Sequence, residues 1–423
     1  MRMRLISNLR GNIINKKMER TLVDKILDLS GPMKGESMKR LGHIGSLVYV
    51  SGLLFAAFVL LISIEASALD KSTKEKTNPR VTVGAYYFDG WAGQSRGLAQ
   101  DPELAKLNPP THLTRLLLGK YAEREPVWGW RDDTPEIVER QIDLAAENGI
   151  AFFSFCWYFH RDPKAIENDP LHTGLQLYLK AKNNHRLKFC LLVANHQGFE
   201  IKTTADWKQA TELWMPYLTH KQYLRVDGRP LVIIFSPQGG NKAGFEYLQE
   251  SARKAGLPGV AIAACNAGDF KMGYTHRTHY NVIPGYASGP EKHTYAELVA
   301  AHQKQWHGTS QQPYIPEITA GWDKRPWEGR DGLNQVKGWY YPDRTPEQFA
   351  AFLESAIRWM DKHPEHTTSE RIVLVYAWNE FGEGGYIAPT RGDPDGKYLK
   401  ALKSVVMPKV RGLDGGRLLQ RVR

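Results

Sequence analysis

The stretch LVYAWNEFGEGGYIAPT, residues 374–390, sends an apolar segment straight into Asn379, then Glu380 and Glu383, with glycines at 382, 384 and 385. Continuous apolarity, rather than strict alternation, marks a strand covered on both faces, as in parallel sheets. Such a strand ending in two nearby carboxylates poses a question. Glu380 and Glu383 are either solvated turn residues or groups delivered to a site.

Seven further runs of the same character precede this one: VTVGAYYF (81–88), IAFFSFCWYF (150–159), LKFCLLVAN (187–195), PLVIIFSP (230–237), VAIAACN (260–266), NVIPGYA (281–287) and YIPEIT (314–319). With RIVLVYAW (371–378) the chain carries eight. Amphipathic segments separate most of them. The clearest, 134–149, has Thr134 at the N-cap, Pro135 at the first helical position and Gly149 at its stop. Eight strands alternating with helices predict an α/β fold, a single (β/α)8 barrel of TIM type with long loops after strands one, six and seven. An open doubly wound sheet is the competing arrangement, but no glycine-rich phosphate loop follows the first strand.

The 423 residues carry a formal charge of +11, and its location matters more than its size. Ten Lys/Arg against four Asp/Glu fall in the first 40 residues, and six against one in 403–423. An excess confined to the ends fits targeting segments and solvated tails, and no nucleic-acid motif accompanies it. Residues 46–64, SLVYVSGLLFAAFVLLISI, are uncharged and apolar, and Ala66 and Ala68 follow with the small side chains of a signal-peptidase site. The organisation expected is therefore a basic extension over 1–45, a signal segment over 46–68, a linker over 69–79, a catalytic barrel over 80–408 and a basic tail over 409–423. A start at Met38 would give the signal an ordinary length, with residues 1–37 untranslated. An uncleaved membrane anchor is the alternative, since 19 apolar residues also span a bilayer. Cys156, Cys190 and Cys265 each sit in a strand-like run without metal or disulfide spacing, and are expected as buried free thiols.

In a TIM barrel, chemistry is expected at the C-terminal ends of the strands. Those ends supply Asp89 and Trp91, Trp157 and His160, Asn195 and His196, Asn266, Tyr286, Glu317, Trp322 and Asp323, and finally Trp378, Asn379, Glu380 and Glu383. Carboxylates among tryptophans and amides suit carbohydrates: sugar faces stack on aromatic rings, hydroxyls pair with Asp, Asn and His, and glycosidic cleavage needs an acid and a second carboxylate. Each tryptophan reads equally well as core packing. Glu380 and Glu383 are expected on a loop or first helical turn, where mutual repulsion raises the pKa of at least one toward that of a general acid.

AWNEFGEGGYIAP resembles the W-N-E-[WF]-x-E-G motif of the glycoside hydrolase family 99-like group, which includes endo-α-mannosidases and WbsX-like proteins often labelled glycosyltransferases. GAYYFDGW and GWDKRPW resemble that group's other signatures, so the resemblance covers roughly residues 80–405. It implies retaining, endo-acting cleavage of an α-linked glycan with participation of the substrate's 2-hydroxyl. Glu380 would be the base toward that hydroxyl and Glu383 the general acid/base, with no metal or organic cofactor. Two positions depart from the pattern: His196 stands where WbsX-like members commonly carry Glu, and Ala388 where an acidic residue is usual. Both departures bear on sugar specificity rather than on the catalytic pair. The expected protein is an exported glycoside hydrolase with an oligo- or polysaccharide partner, free of nucleic acid, and membrane-bound only through an uncleaved anchor. A WbsX-like glycosyltransferase of surface-polysaccharide assembly and a non-catalytic carbohydrate-binding barrel are the competing readings.

Overall fold

Eight parallel strands form the barrel: β1 (Thr82–Tyr87), β2 (Ile150–Trp157), β3 (Lys188–Val193), β4 (Arg229–Ile234), β5 (Ala261–Cys265), β6 (His276–Thr278), β7 (Glu317–Thr319) and β8 (Ile372–Tyr376). The computed structural model describes residues 80–266, 269–286, 288–307, 313–327 and 338–407, so the segments expected over 1–79 and the tail over 409–423 lie outside the described residues. Hydrogen-bonded neighbours run β6-β5-β4-β3-β2-β1-β8-β7. Strand β1 registers Val83 against Ile150 of β2 and Thr82 against Ile372 of β8. A parallel bridge between Arg277 and Tyr314 joins β6 to the segment leading into β7. It is backed by Arg277 N–H to the Pro313 carbonyl at 3.1 Å and Ile315 N–H to the Arg277 carbonyl at 2.8 Å.

Burial on both faces explains why these strands read as continuous apolar runs. Val83, Ala85, Phe153, Phe155, Val373 and Val375 are all at most 1% exposed, and each larger side chain of this kind contributes ~1.5–3 kcal/mol on burial. The three cysteines are free and buried, as expected.

The barrel helices are α1 (Pro135–Glu147), α2 (Thr173–Lys180), α3 (Thr204–Leu218), α4 (Lys242–Lys254), α5 (Tyr295–His307), α6 (Pro346–Lys362) and α7 (Lys397–Val406). Thr134 caps α1 by accepting the Ile137 N–H, and Thr345 caps α6 through a reciprocal box with Gln348. Among the described residues no helix is long and apolar enough to cross a membrane.

The sixth strand corrects the sequence expectation. Residues 281–286 are irregular, and the strand is His276–Thr278, just upstream. Pro284 cannot donate to a ladder on either side, whereas Thr278 and its neighbours reach both β5 and the segment before β7. Between β5 and β6 the described residues hold only the 3-10 turn Phe270–Met272 in place of a crossover helix.

Candidate active site

Beyond β8 the chain makes a small hairpin. Asn379–Glu380 pairs antiparallel with Gly385–Tyr386, matching Glu380 to Gly385 and leaving Phe381, Gly382, Glu383 and Gly384 as its tip. The two glutamates therefore share a hairpin, not a helical turn. Two glycines make this tip possible. Gly384 adopts φ +72°, and a Cβ on Gly382 would lie 1.8 Å from the Trp327 ring. The hairpin is pinned from below by Asn379, whose Oδ1 accepts the Phe88 N–H and whose Nδ2 donates to the Phe88 carbonyl, both at 2.8 Å. From the side, Asp323 N–H donates to the Glu383 carbonyl at 2.7 Å, and Arg124 donates to the carbonyls of Asp323 and Phe381.

Each glutamate receives a tyrosine hydroxyl: Tyr280 donates to Glu380 Oε1, and Tyr376 to Glu383 Oε2. Glu380 is 3% exposed, and its Oε2 has no hydrogen-bond partner among the described residues. Burial, reinforced by the charge of Glu383 and only partly opposed by the Tyr280 bond, pushes its carboxyl well above the usual range. Burial and the nearby glutamates raise Tyr280 and Tyr376 as well, so both stay neutral donors. Glu383 is half-buried and lines a cavity of about 310 Å³ together with Phe235, Asn266, Tyr280, Asn281 and Trp322. Two carboxylates of this kind can hold a single proton between them, one donating while the other accepts.

Of the residues singled out in the sequence, Asn266, Trp322 and Glu383 meet at this cavity, with Glu380 behind Tyr280. His196 reaches it through the Phe235 ring, 5.8 Å away. Tyr286 stacks on His293 at 3.7 Å, and its hydroxyl accepts from Tyr341, in a cluster that also includes Trp322.

The others have internal duties. Asp89 is buried on the first backbone N–H groups of α2, accepting from Gly174 and Leu175. Burial and the charge of Asp132 raise its pKa well above normal. Trp91, Trp157 and Trp378 are fully buried and offer no face to a sugar, which corrects their reading as stacking platforms. Their rings pack against Phe381, Trp214 and Phe153 respectively. Asn195 clasps the Ser236 backbone in both directions at 2.8 Å, and His160 pairs with Asp169 at 2.7 Å. Burial raises Asp323, but the bonds and charges of Arg325 and Arg124 outweigh it and hold the carboxyl low. The site residues that sequence reasoning missed are Tyr280, Tyr376 and Asn281. Tyr376 was hidden as one more aromatic in a strand, and the misplaced sixth strand hid Tyr280 and Asn281.

The sequence model of the family described as Glycosyltransferase WbsX matches residues 129–402, well over half of the chain. The chain belongs to the WbsX family. Its matched span includes the hairpin, both tyrosines and the cavity wall. A curated relative, the uncharacterized protein WxcX of Xanthomonas campestris pv. campestris, is 22% identical over 292 residues, covering 60% of this chain. The chain spans 39% of that relative's length. Among solved structures, the family 99 endo-α-mannosidase of Bacteroides thetaiotaomicron in complex with BIS-TRIS-propane is 15% identical, with 77% of this chain and 96% of that one covered at a TM-score of 0.51. A glycoside hydrolase-like protein matches at 15% identity, 78% and 95% coverage and the same TM-score. These likenesses show that this WbsX member shares the barrel fold of those proteins.

Proposed function

We propose that this WbsX-family protein is a carbohydrate-active enzyme that cleaves an α-linked glycan, with Glu380 and Glu383 as its working pair. The observation that carries the reading is the hairpin, which sets two carboxylates, each on a tyrosine hydroxyl, beside a cavity at the C-terminal end of β8. Glu383, on the cavity wall, gives its proton to the leaving glycosidic oxygen. Glu380 takes the proton of the substrate's 2-hydroxyl, whose oxygen closes on C1 to form a 1,2-anhydro sugar. Water then opens that ring at C1 while Glu383 recovers a proton from it and Glu380 returns the other to O2. The raised pKa of Glu380 suits the part, because a carboxylate that burial disfavours is a stronger base once it is ionised. Its unpartnered Oε2 is the atom a sugar hydroxyl would satisfy. Export through residues 46–68 belongs to the same reading and is checked by N-terminal sequencing of the native product.

The family description favours a second reading, transfer from an activated sugar donor. Product analysis separates the two. The purified protein is offered α-mannans, other α-glycans and bacterial exopolysaccharides, and in parallel sugar nucleotides with acceptor glycans. The hydrolytic reading expects new reducing ends from a polysaccharide, and a loss of 10²–10⁴-fold in Glu383→Gln on substrates with poor leaving groups. An activated aryl glycoside should suffer less in that variant, while Glu380→Gln should slow both substrate types. Products formed only from sugar nucleotides, or wild-type rates in both variants, would overturn it.

A further inference from the structure

Among the described side chains that line the cavity, one buried polar atom has no hydrogen-bond partner, Nδ2 of Asn281. A buried donor in that state is a cost to the fold that a bound acceptor would remove. Glu380 Oε2, behind Tyr280, is an acceptor in the same condition.

The end of the amide that is used inside the protein is fixed by the backbone. The Val282 N–H lies 3.1 Å from Asn281 Oδ1, and a flipped amide would set its NH₂ against that donor, so the oxygen stays on this side. His302 Nε2 of α5 faces the same oxygen at 3.0 Å. That ring is fully buried, and its Nδ1 faces Oε1 of the equally buried Glu317 at 3.1 Å. Glu317 in turn accepts the Tyr314 hydroxyl through Oε2 at 2.6 Å. The oxygen of Asn281 is thus held from behind, and its NH₂ is the part left over for a ligand.

The rest of the wall narrows the acceptor that this NH₂ can meet. The other polar side chains there include Ser236, Gln238, Asn266, Tyr280 and Glu383, with no Lys or Arg among the described lining residues. A carboxylate or phosphate on the ligand would lie beside Glu383 without a compensating cation, so the acceptor is uncharged. A sugar ring oxygen gains positive charge in an oxocarbenium-like transition state, which a donor would oppose. The 2-hydroxyl oxygen is the nucleophile of the proposed reaction, and a donor would draw on the electron pair it needs. A hydroxyl at C3, C4 or C6 remains.

We propose that Asn281 is a substrate-binding residue that donates through Nδ2 to the C3, C4 or C6 hydroxyl of an uncharged sugar held against Glu383. The assignment rests on the hydrolytic reading of Glu380 and Glu383. To test it, the full chain and its Asn281→Leu variant, which keeps the volume and removes the donor, are compared on α-mannan and α-glucan oligosaccharides. The same oligosaccharides deoxygenated at C3, C4 or C6 of the residue whose C1 is attacked complete the set.

On the intact oligosaccharides the variant should lose about 3–10-fold in kcat/KM, mainly through KM. On one of the three deoxy forms the two proteins should become equal, while the gap persists on the other two, because removing either partner removes the same bond. An equal gap on every probe is what a purely structural Asn281 would give, and it would overturn the assignment, as would equal rates on the intact oligosaccharides. Should Asn281→Leu fail to fold, Asn281→Asp keeps the oxygen that Val282 needs. Its added charge slows all probes alike, so only the part specific to one analogue is read. Turnover confined to acidic polysaccharides would overturn the assignment and leave hydrolysis standing, whereas no turnover of the oligosaccharides or of any polysaccharide would remove both.

Discussion

Glu317 in the barrel wall and Glu380 on the hairpin are both withdrawn from solvent, yet they depart from ordinary glutamates in opposite directions. Glu317 is held near 2 against the pull of burial by His279 and His302. Glu380, with a single tyrosine donor and another carboxylate beside it, is driven well above its usual range. Burial is common to the two, so the partners decide. A carboxylate given several hydrogen-bond donors becomes a structural anion, whereas one given a single neutral hydroxyl and a like-charged neighbour is left able to exchange protons.

The largest effect expected from this contrast is on stability. Glu317→Ala leaves the buried Tyr314 hydroxyl and the His279 and His302 rings without the carboxylate they face and should cost about 3–5 kcal/mol, measured by denaturant unfolding. Glu380→Gln removes a carboxylate that the fold disfavours, so it should change stability by less than about 1 kcal/mol or raise it. Equal losses in the two variants would break the comparison.

A smaller effect, of opposite sign at the two sites, is expected from pH. Glu317 has its folded pKa below its unfolded one, so its contribution is fully present above about pH 4.3 and is lost as the pH falls toward 2. That contribution is on the order of 2–3 kcal/mol. Glu380 has its folded pKa raised. Stability from that site is greatest below about pH 4.3 and declines as the pH climbs through the folded value. An unfolding series from pH 2 to 8 should show the acid limb flattened in Glu317→Gln and the opposite limb flattened in Glu380→Gln.

The smallest effect is expected at His196, which packs edge-on against Tyr158, Phe199 and Phe235 and has no carboxylate partner among the described residues. His196→Ala should shift stability by less than about 1 kcal/mol and raise KM a few-fold at unchanged kcat, by loosening the Phe235 wall of the cavity. A stability loss as large as that of Glu317→Ala would put His196 in the structural class.

What the sequence made legible follows from what each segment had to bury. Strands covered on both faces left unbroken apolar runs, and capped helices left Thr134-Pro135 and Thr345-Pro346 at their starts. The barrel and the placing of Glu380 and Glu383 at its rim could therefore be read directly. The sixth strand could not, because three residues, His276 to Thr278, carry too little apolar signal to compete with the more hydrophobic loop behind them. Partners were the other blind spot. Asp89, Asn195 and Asn379 looked like ligands for a sugar, but they spend their polar atoms on backbone groups far away in sequence. Tyr280 and Tyr376, the groups that do meet the glutamates, looked like core aromatics.

The close approach of Trp327 to Gly382 bears on how this site could be redesigned. With a Cβ at 382 colliding with an indole at 1.8 Å, that position is closed to every side chain unless Trp327 moves as well. The distance along the chain between the two glutamates is thus bridged by a residue that directed evolution cannot explore singly. A library seeking altered sugar preference should hold 382 and 327 fixed and randomise Gln238 and Asn266, cavity residues on two other loops.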